Sequence, residues 1–335
     1  MLTRLTLRQL EYCVAAAEYG SIAEAAERIH VSSSSISSAI AHVESELSVA
    51  LFVRHHGQGL SLTPVGQEVL RQIRHLLDQT LALYDVADTA QGAIRGPLRV
   101  GCLTPLAALV APELCQGFAR AHPGVQVTQV EDHQEGLIER LRQARIDVAI
   151  TYDLSVAQAD IAFEPLASLP PHVIVGETDP LAYRRVATLK ELANRPMVLL
   201  DMPLSRDYFL ALFHEAGVTP LIAARSPSPD VVRSLVANGV GYSLANVRPR
   251  SSHSLDGKKI VSVHLRGQPR PMLLGLAWAC GQKPRHVVEA FMHRCRSFIS
   301  NEYIPGMTPP GRDARGGAEG GPGQAPAGDT VSGAA

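Results

Sequence analysis

Hydroxyl and imidazole groups crowd the start of this chain. Ser32, Ser33, Ser34, Ser35, Ser37 and Ser38 lie almost side by side, and His42 follows. Hydroxyls on one helix face can donate to phosphate oxygens or pair with base edges of either kind, with weaker discrimination than a bidentate Arg or Asn. A low-complexity loop would carry no phase. Here Ile36, Ile40, Val43 and Leu47 fall on one stripe at about 100° per residue, so the run reads as a helix. Ser32 is its natural N-cap, and Ser34, Ser38 and Ala41 occupy the opposite face. Arg54 ends a short β-like run and can reach a phosphate or the minor groove. His55 and His56 sit in a glycine-rich tip. As a metal pair they would need two further ligands nearby, and none is evident, so no metal is expected. Histidines at phosphates would be partly charged near their unperturbed pKa of about 6.5.

The remaining reactive groups are sparse. Cys13, Cys102, Cys115, Cys280 and Cys295 form no CxxC pair, which fits neither a disulfide scaffold nor a zinc finger. Cys102 ends a strand where ligand sites of parallel sheets lie. A nucleophile there would need a paired base, and a buried small hydrophobe is the plainer reading of Cys102 and Cys115. Gly-rich phosphate loops, HExxH and GxSxG are absent, and Gly239-x-Gly241 precedes a strand rather than a helix. No enzyme activity and no cofactor are expected. The rule that ligands bind outside the carboxyl ends of parallel strands selects Thr104 and Pro105, then Gln134, then Asp201, Met202 and the approach to Asp230.

The elements that must position these groups divide the chain. Its 335 residues, 46% hydrophobic and 19% charged, are enough for two or three units. Net charge is −1 with a pI near 6.9, which excludes a polycation that coats nucleic acid by charge alone. Residues 1–92 hold six Arg and no Lys against ten Asp and Glu, a formal −4. No apolar run reaches the ~18–20 residues that span a bilayer, and MLTRLTLRQLEY is no signal peptide, so a cytoplasmic location without membrane contact is expected. Leu7, Leu10, Val14 and Ala17 predict a first helix that stops at Gly20. Ser21 opens a second through a capping box, and 51–54 with 60–62 predict a hairpin. From Thr63-Pro64 a long helix runs to about residue 91. Its Val69, Ile73, Leu76 and Leu83 form a heptad seam expected to pair with a copy of the chain. Beyond Pro97, strands alternate with helices, predicting parallel sheets covered on both faces. The expected units are 1–62, a linker helix 63–92, and a domain 97–300 of two lobes, 97–167 with 271–300 and 168–270. Residues 301–335, rich in Gly, Pro and Ala, are expected to be disordered.

At this point the chain resembles the LysR-type transcriptional regulators. The N-terminal stretch carries the likeness in "GSIAEAAERIHVS", the E-x-x-L close of the serine helix, "LFVR" and "LTPVG". Further on, "PLRVGCLTPLAALVAPELCQGFARAHPGVQV", "LIERLRQARIDVAITY" and "VVRSLVANGVGYSLAN" look like the family's effector-binding domain. The resemblance implies a multidomain fold: an all-α winged helix-turn-helix, a dimerising linker helix, and a two-lobed α/β domain resembling periplasmic solute-binding proteins of type 2. It implies promoter double-stranded DNA, a small-molecule effector, and a homo-oligomer, a dimer through the linker and then a tetramer. The DNA contacts would be Ser21, Ser32, Ser33, Ser34, Ser35, Ser37, Ser38, His42, Arg54, His55 and His56. The effector contacts would be Cys102, Thr104, Pro105, Gln134, Asp201, Met202, Asp230 and Asn246. Asn246 stands where the family carries Pro, and the usual Gln-Pro and basic residues of the recognition helix are replaced by serines. Two other readings remain: a redox-responsive regulator sensing through Cys102 and Cys115, and a solute-binding protein on the same scaffold.

Overall fold

The computed structural model describes residues 4–55, 59–90, 93–154, 160–267, 269–281, 283–299, 307, 308 and 310. Its N-terminal module contains α1 (Leu7–Tyr19), α2 (Ile22–Arg28) and α3 (Ser33–Leu47). Each helix begins on a hydroxyl that accepts a backbone amide: Thr6 from Gln9, Ser21 from Glu24 and Ser32 from Ser35. Gly20 ends α1 at φ 62°, a left-handed turn that glycine enters without strain. Leu10, Cys13, Ala25, Ile36, Ile40 and Val43 close a core between the helices. The antiparallel hairpin β1 (Phe52–His55) and β2 (Gly59–Leu62) follows. Glu44 fixes its start, its Oε1 accepting from the amides of Leu51 (2.7 Å) and Phe52 (3.1 Å).

The long helix α4 (Pro64–Ala90) is pinned to that hairpin. Thr63 Oγ1 accepts from the Gly66 amide at 2.8 Å and donates to the Ala50 carbonyl at 2.7 Å. A Cβ on Gly66 would stand 2.0 Å from the Leu51 carbonyl oxygen, so only glycine permits this approach. The expected seam is divided. Leu70 is fully buried and Ile73 is 6% exposed in the module's own core, with Val69 packed against them. Leu76 and Leu83, at 44% and 72% exposure, face outward. Three short helices cannot enclose their core alone, and the first turns of α4 supply the missing wall.

The second half forms two lobes. In the first, β3 (Gly96–Leu103), β4 (Val125–Asp132), β5 (Val148–Tyr152), β6 (Ile161–Leu169) and β13 (Met272–Ala279) make a sheet of order β4-β3-β5-β13-β6. Helices α5 (Thr104–Ala121), α6 (Gln134–Arg142) and α10 (His286–Phe298) accompany it. The second lobe holds β7 (His172–Gly176), β12 (Ile260–Leu265), β8 (Val186–Ala187) and β11 (Ser243–Ala245) in one sheet, and β9 (Pro196–Leu200) paired with β10 (Leu221–Ser226). Helices α7 (Leu189–Leu192), α8 (Pro203–Glu215) and α9 (Pro229–Ala237) belong to it. The expectation of parallel sheets is corrected in both lobes. Strand β13 returns from the second lobe and so runs antiparallel to β5 and β6, and β7 is antiparallel to β11 and β12. The expectation of a disordered end is corrected at Met307 and Thr308. Met307 is buried in the first lobe's core, and Thr308 exchanges backbone hydrogen bonds of 2.8 and 3.0 Å with Ser168 on β6.

Charge joins the linker helix to the first lobe. Arg99 on β3 directs Nη2 at Asp78 of α4 (2.8 Å) and at Asp147 (2.6 Å), and Nη1 at the Ala144 carbonyl (2.8 Å). Arg285 adds a second guanidinium 3.3 Å from Asp147, and the His286 amide donates to Asp85 of α4 at 3.1 Å. Burial alone would raise Asp147, but the Arg99 and Arg285 charges outweigh it and hold this carboxyl below the ordinary range. At Asp78 burial wins over Arg99 and holds the carboxyl above it. Asp147 therefore contributes stability that is complete above about pH 4 and lost as pH falls below, whereas ionised Asp78 costs stability. We expect Asp147→Asn to lower stability at pH 7 by about 3–5 kcal/mol, as removal of a buried partner does, and Asp78→Asn to leave it unchanged or raise it slightly, because a neutral amide escapes the cost of the ionised carboxyl. Denaturant titrations of both variants from pH 7 to pH 3 read this, and Asp147→Asn should show the smaller acid loss. On α4, Ile73→Ala should cost about 2–5 kcal/mol in the same assay.

Candidate functional site

Two places carry chemistry. The first is the outer face of α3, where Ser33, Ser34, Ser35, Ser38 and Ser45 are exposed and Ser37 is half-buried. Ser32 spends its oxygen capping α3, and its hydroxyl also meets Ser34 Oγ (2.9 Å) and Ser35 Oγ (2.7 Å). Ser21 is likewise a cap, on α2. His42 is half-buried and turned to the Arg4 carbonyl, 3.2 Å from Nε2, rather than standing free on the face. His55 is exposed with Nε2 2.7 Å from Ser61 Oγ, and His56 lies outside the described residues.

The module's arginines are unequal. Arg71 pairs with Glu68, Arg4 approaches Glu46, Arg8 donates to Tyr12, and Arg28 lies over the Tyr19 ring. Arg74 is buried at 3% exposure, and burial holds its pKa down at about 10. Arg54 is exposed at the hairpin, and its guanidinium has no hydrogen bond or ion pair among the described residues. It is the cation best placed to meet a phosphate.

The second place is a cavity of about 780 Å³ between the lobes. Thr104, Pro105 and Glu131 line it from the first lobe, and Asp230, Arg233, Asn246 and His253 from the second. Ile174, Leu200, Phe209, Leu244 and Met272 make much of the wall apolar. Thr104 opens α5, with Oγ1 donating to the Asp132 carbonyl at 3.1 Å. Asp230 lies in the first turn of α9, whose cap is Ser228 rather than Asp230 itself. Burial lowers the pKa of Arg233, which donates to the carbonyls of Ser251 and His253 at 3.1 Å each. Glu131, Arg233, His253 and Phe209 escape sequence reasoning. Strand-end position could have flagged Glu131, but nothing local marks the others.

Other expected contacts fall elsewhere. Gln134 and Met202 line a smaller neighbouring cleft. The Gln134 amide is already saturated: Nε2 donates to the carbonyls of Tyr152 (2.8 Å) and Leu154 (2.7 Å), and Oε1 accepts from Thr151 Oγ1 (2.7 Å). It braces α6 against β5. Asp201 meets Arg206 at 3.2 Å and Arg225 at 3.9 Å, away from the cavity wall. Cys102 is fully buried, and burial drives its thiol pKa far up. Cys115 is pushed up to about 11, also by burial. Both are held as thiols, the unreactive form, which weighs against redox sensing through them.

Comparison with known proteins matches both halves of the chain. The family model for the bacterial regulatory helix-turn-helix protein, lysR family, matches residues 7–67. The LysR substrate binding domain model matches residues 91–299. The transcriptional dual regulator GltC of Bacillus subtilis is 30% identical over 72% of this chain and 80% of its own. The structure of HinK, a LysR family transcriptional regulator from Pseudomonas aeruginosa, is 35% identical, covers 88% of this chain and 99% of its own, and superposes with a TM-score of 0.60. A full-length OxyR variant from Pseudomonas aeruginosa, 24% identical over 88% of this chain and 98% of its own, shares the fold at a TM-score of 0.73.

For the hairpin, Arg54→Ala should weaken binding to double-stranded DNA at every pH and make the slope of log affinity against log salt shallower by about 0.9. Fluorescence anisotropy across a salt series reads both quantities.

Proposed function

Because this chain belongs to the LysR family of bacterial transcriptional regulators, we propose that it is a cytoplasmic, non-enzymatic regulator whose hold on its promoter is set by a small effector bound between its lobes. The observation that carries the effector half is the interlobe cavity, bounded by residues of both lobes and large enough at about 780 Å³ for a small organic molecule. Occupancy that bridges Thr104 and Pro105 on one side with Asp230 and Asn246 on the other changes the relative free energies of open and closed lobes. Asp78 and Asp85 on α4 contact the first lobe, so a change of lobe geometry has a route toward the DNA-binding module. Among the described residues no helix is long and apolar enough to cross a membrane.

The DNA half rests on the exposed α3 face and on the exposed Arg54 of the hairpin. Homo-oligomerisation belongs to the same proposal. Past Ile73 the exposed Leu76, Leu83, Tyr84 and Val86 give α4 apolar surface to pair with a second copy. Such pairing would set two recognition helices on one duplex, as symmetric half-sites require.

The test uses the full chain and the intergenic DNA upstream of its own gene. Saturable binding is expected, competed by the same fragment and not by unrelated DNA, with a band or footprint that changes when a metabolite pool is added. Ala108→Trp, which fills the cavity from an exposed lining position, should keep DNA binding and lose the metabolite response. A response that survives Ala108→Trp places the sensor outside the cavity.

A further inference from the structure

Asn246 follows β11 at the place where both chain crossings between the lobes are held. Its Nδ2 donates to the Leu169 carbonyl, on the first crossing, at 2.8 Å. It also donates to the Tyr208 hydroxyl oxygen at 3.3 Å. Tyr208 uses its own proton on the Arg270 carbonyl, on the second crossing, at 2.5 Å. These directions lock the amide. Turning it over would set Oδ1 against the Leu169 oxygen and a hydroxyl oxygen with no proton to give. The oxygen left over, Asn246 Oδ1, is buried and has no hydrogen-bond partner among the described residues. The residue is 7% exposed and lines the interlobe cavity. A buried acceptor is costly to leave unmatched, and an incoming donor is the means of matching it.

The rest of the wall says what the donor is attached to. Leu200, Phe209, Leu244 and Met272 are apolar, and the charges are of both signs, so nothing near Asn246 selects a strongly charged body. We propose that Asn246 Oδ1 is the polar anchor of the effector, accepting a hydrogen bond from an N–H or O–H group on a small, otherwise apolar molecule, and that the same amide couples occupancy to both crossings. This rests on the cavity being the effector site. A donor on Oδ1 polarises the amide and strengthens both Nδ2–H bonds, tightening its hold on Leu169 and, through Tyr208, on Arg270. A ligand with acceptors alone gains neither effect.

The test measures binding of matched probes to the full chain by thermal shift and calorimetry: phenol with anisole, aniline with N,N-dimethylaniline, and benzamide with N,N-dimethylbenzamide. Wild-type protein should bind the donor member at least about tenfold more tightly than its methylated partner. The preference should vanish in Asn246→Leu, shown to be folded by circular dichroism. The anchor is wrong if wild type discriminates no pair, whether both members bind or neither does, or if Asn246→Leu discriminates as wild type does. Ala108→Trp then separates the two levels. Undiscriminated probes that are lost in that variant leave the cavity as effector site and remove only the anchor. Undiscriminated probes that bind it as before remove both.

Discussion

The guanidinium of Arg99 lies where the linker helix, the first strand of the effector domain and the segment before β5 converge. Its planar fork reaches Asp78, Asp147 and the Ala144 carbonyl together, and its own amide donates to Asp147 at 2.7 Å. A lysine has one compact charge on a flexible stem and could not hold three directions at once. Placing Arg99 there commits β3, and with β3 the sheet order of the first lobe, to a fixed seat on α4. The DNA-binding module is built on the other end of that same helix through Leu70 and Ile73. One rigid element therefore has a packing contact at its start and an ionic contact further along, and the two domains are related by what those contacts permit.

The difference between the two contacts has mechanical consequences. Apolar burial of Ile73 and Leu70 is non-directional and tolerates small rotations without a sharp loss. The Arg99 fork is directional, so a shift that breaks its alignment leaves buried charges unpaired and is strongly opposed. Motion in this chain should concentrate where neither constraint acts, at the two crossings between the lobes. Asn246 and Tyr208 are the side chains that tie those crossings together.

Much of the local structure is legible in the sequence. Thr6, Ser21 and Ser32 cap helices whose apolar stripes are visible there, and Gly20 and Thr63-Pro64 mark their ends. The α4 seam misleads because a 4-3 spacing states only that a face is apolar, not which partner covers it. Its first half faces its own module. Strands β6, β8, β10 and β12 escape the sequence pattern, and β6 carries Pro165, which argues against a strand when read locally. Among the expected effector residues, Thr104, Pro105 and Asp230 line the cavity wall. The strand-end rule fails for Gln134, because its saturation by Thr151, Tyr152 and Leu154 is a property of the folded chain. The Asn246–Tyr208–Arg270 relay spans sequence separations of 38 and 62 residues, and no local pattern encodes it.

The bridge between Thr308 and Ser168 bears on how this protein can be handled. Strand β6 is the outer strand of the first lobe's sheet, and an uncovered outer strand offers unpaired amides and carbonyls to any neighbouring chain. Thr308 occupies two of those groups, and Met307 seals the apolar surface beside them. A fragment cut at the apparent end of α10 would lose that cover and gain a sticky margin. Expression pieces of the sensing domain that extend past Thr308 should stay dispersed at concentrations where shorter ones associate.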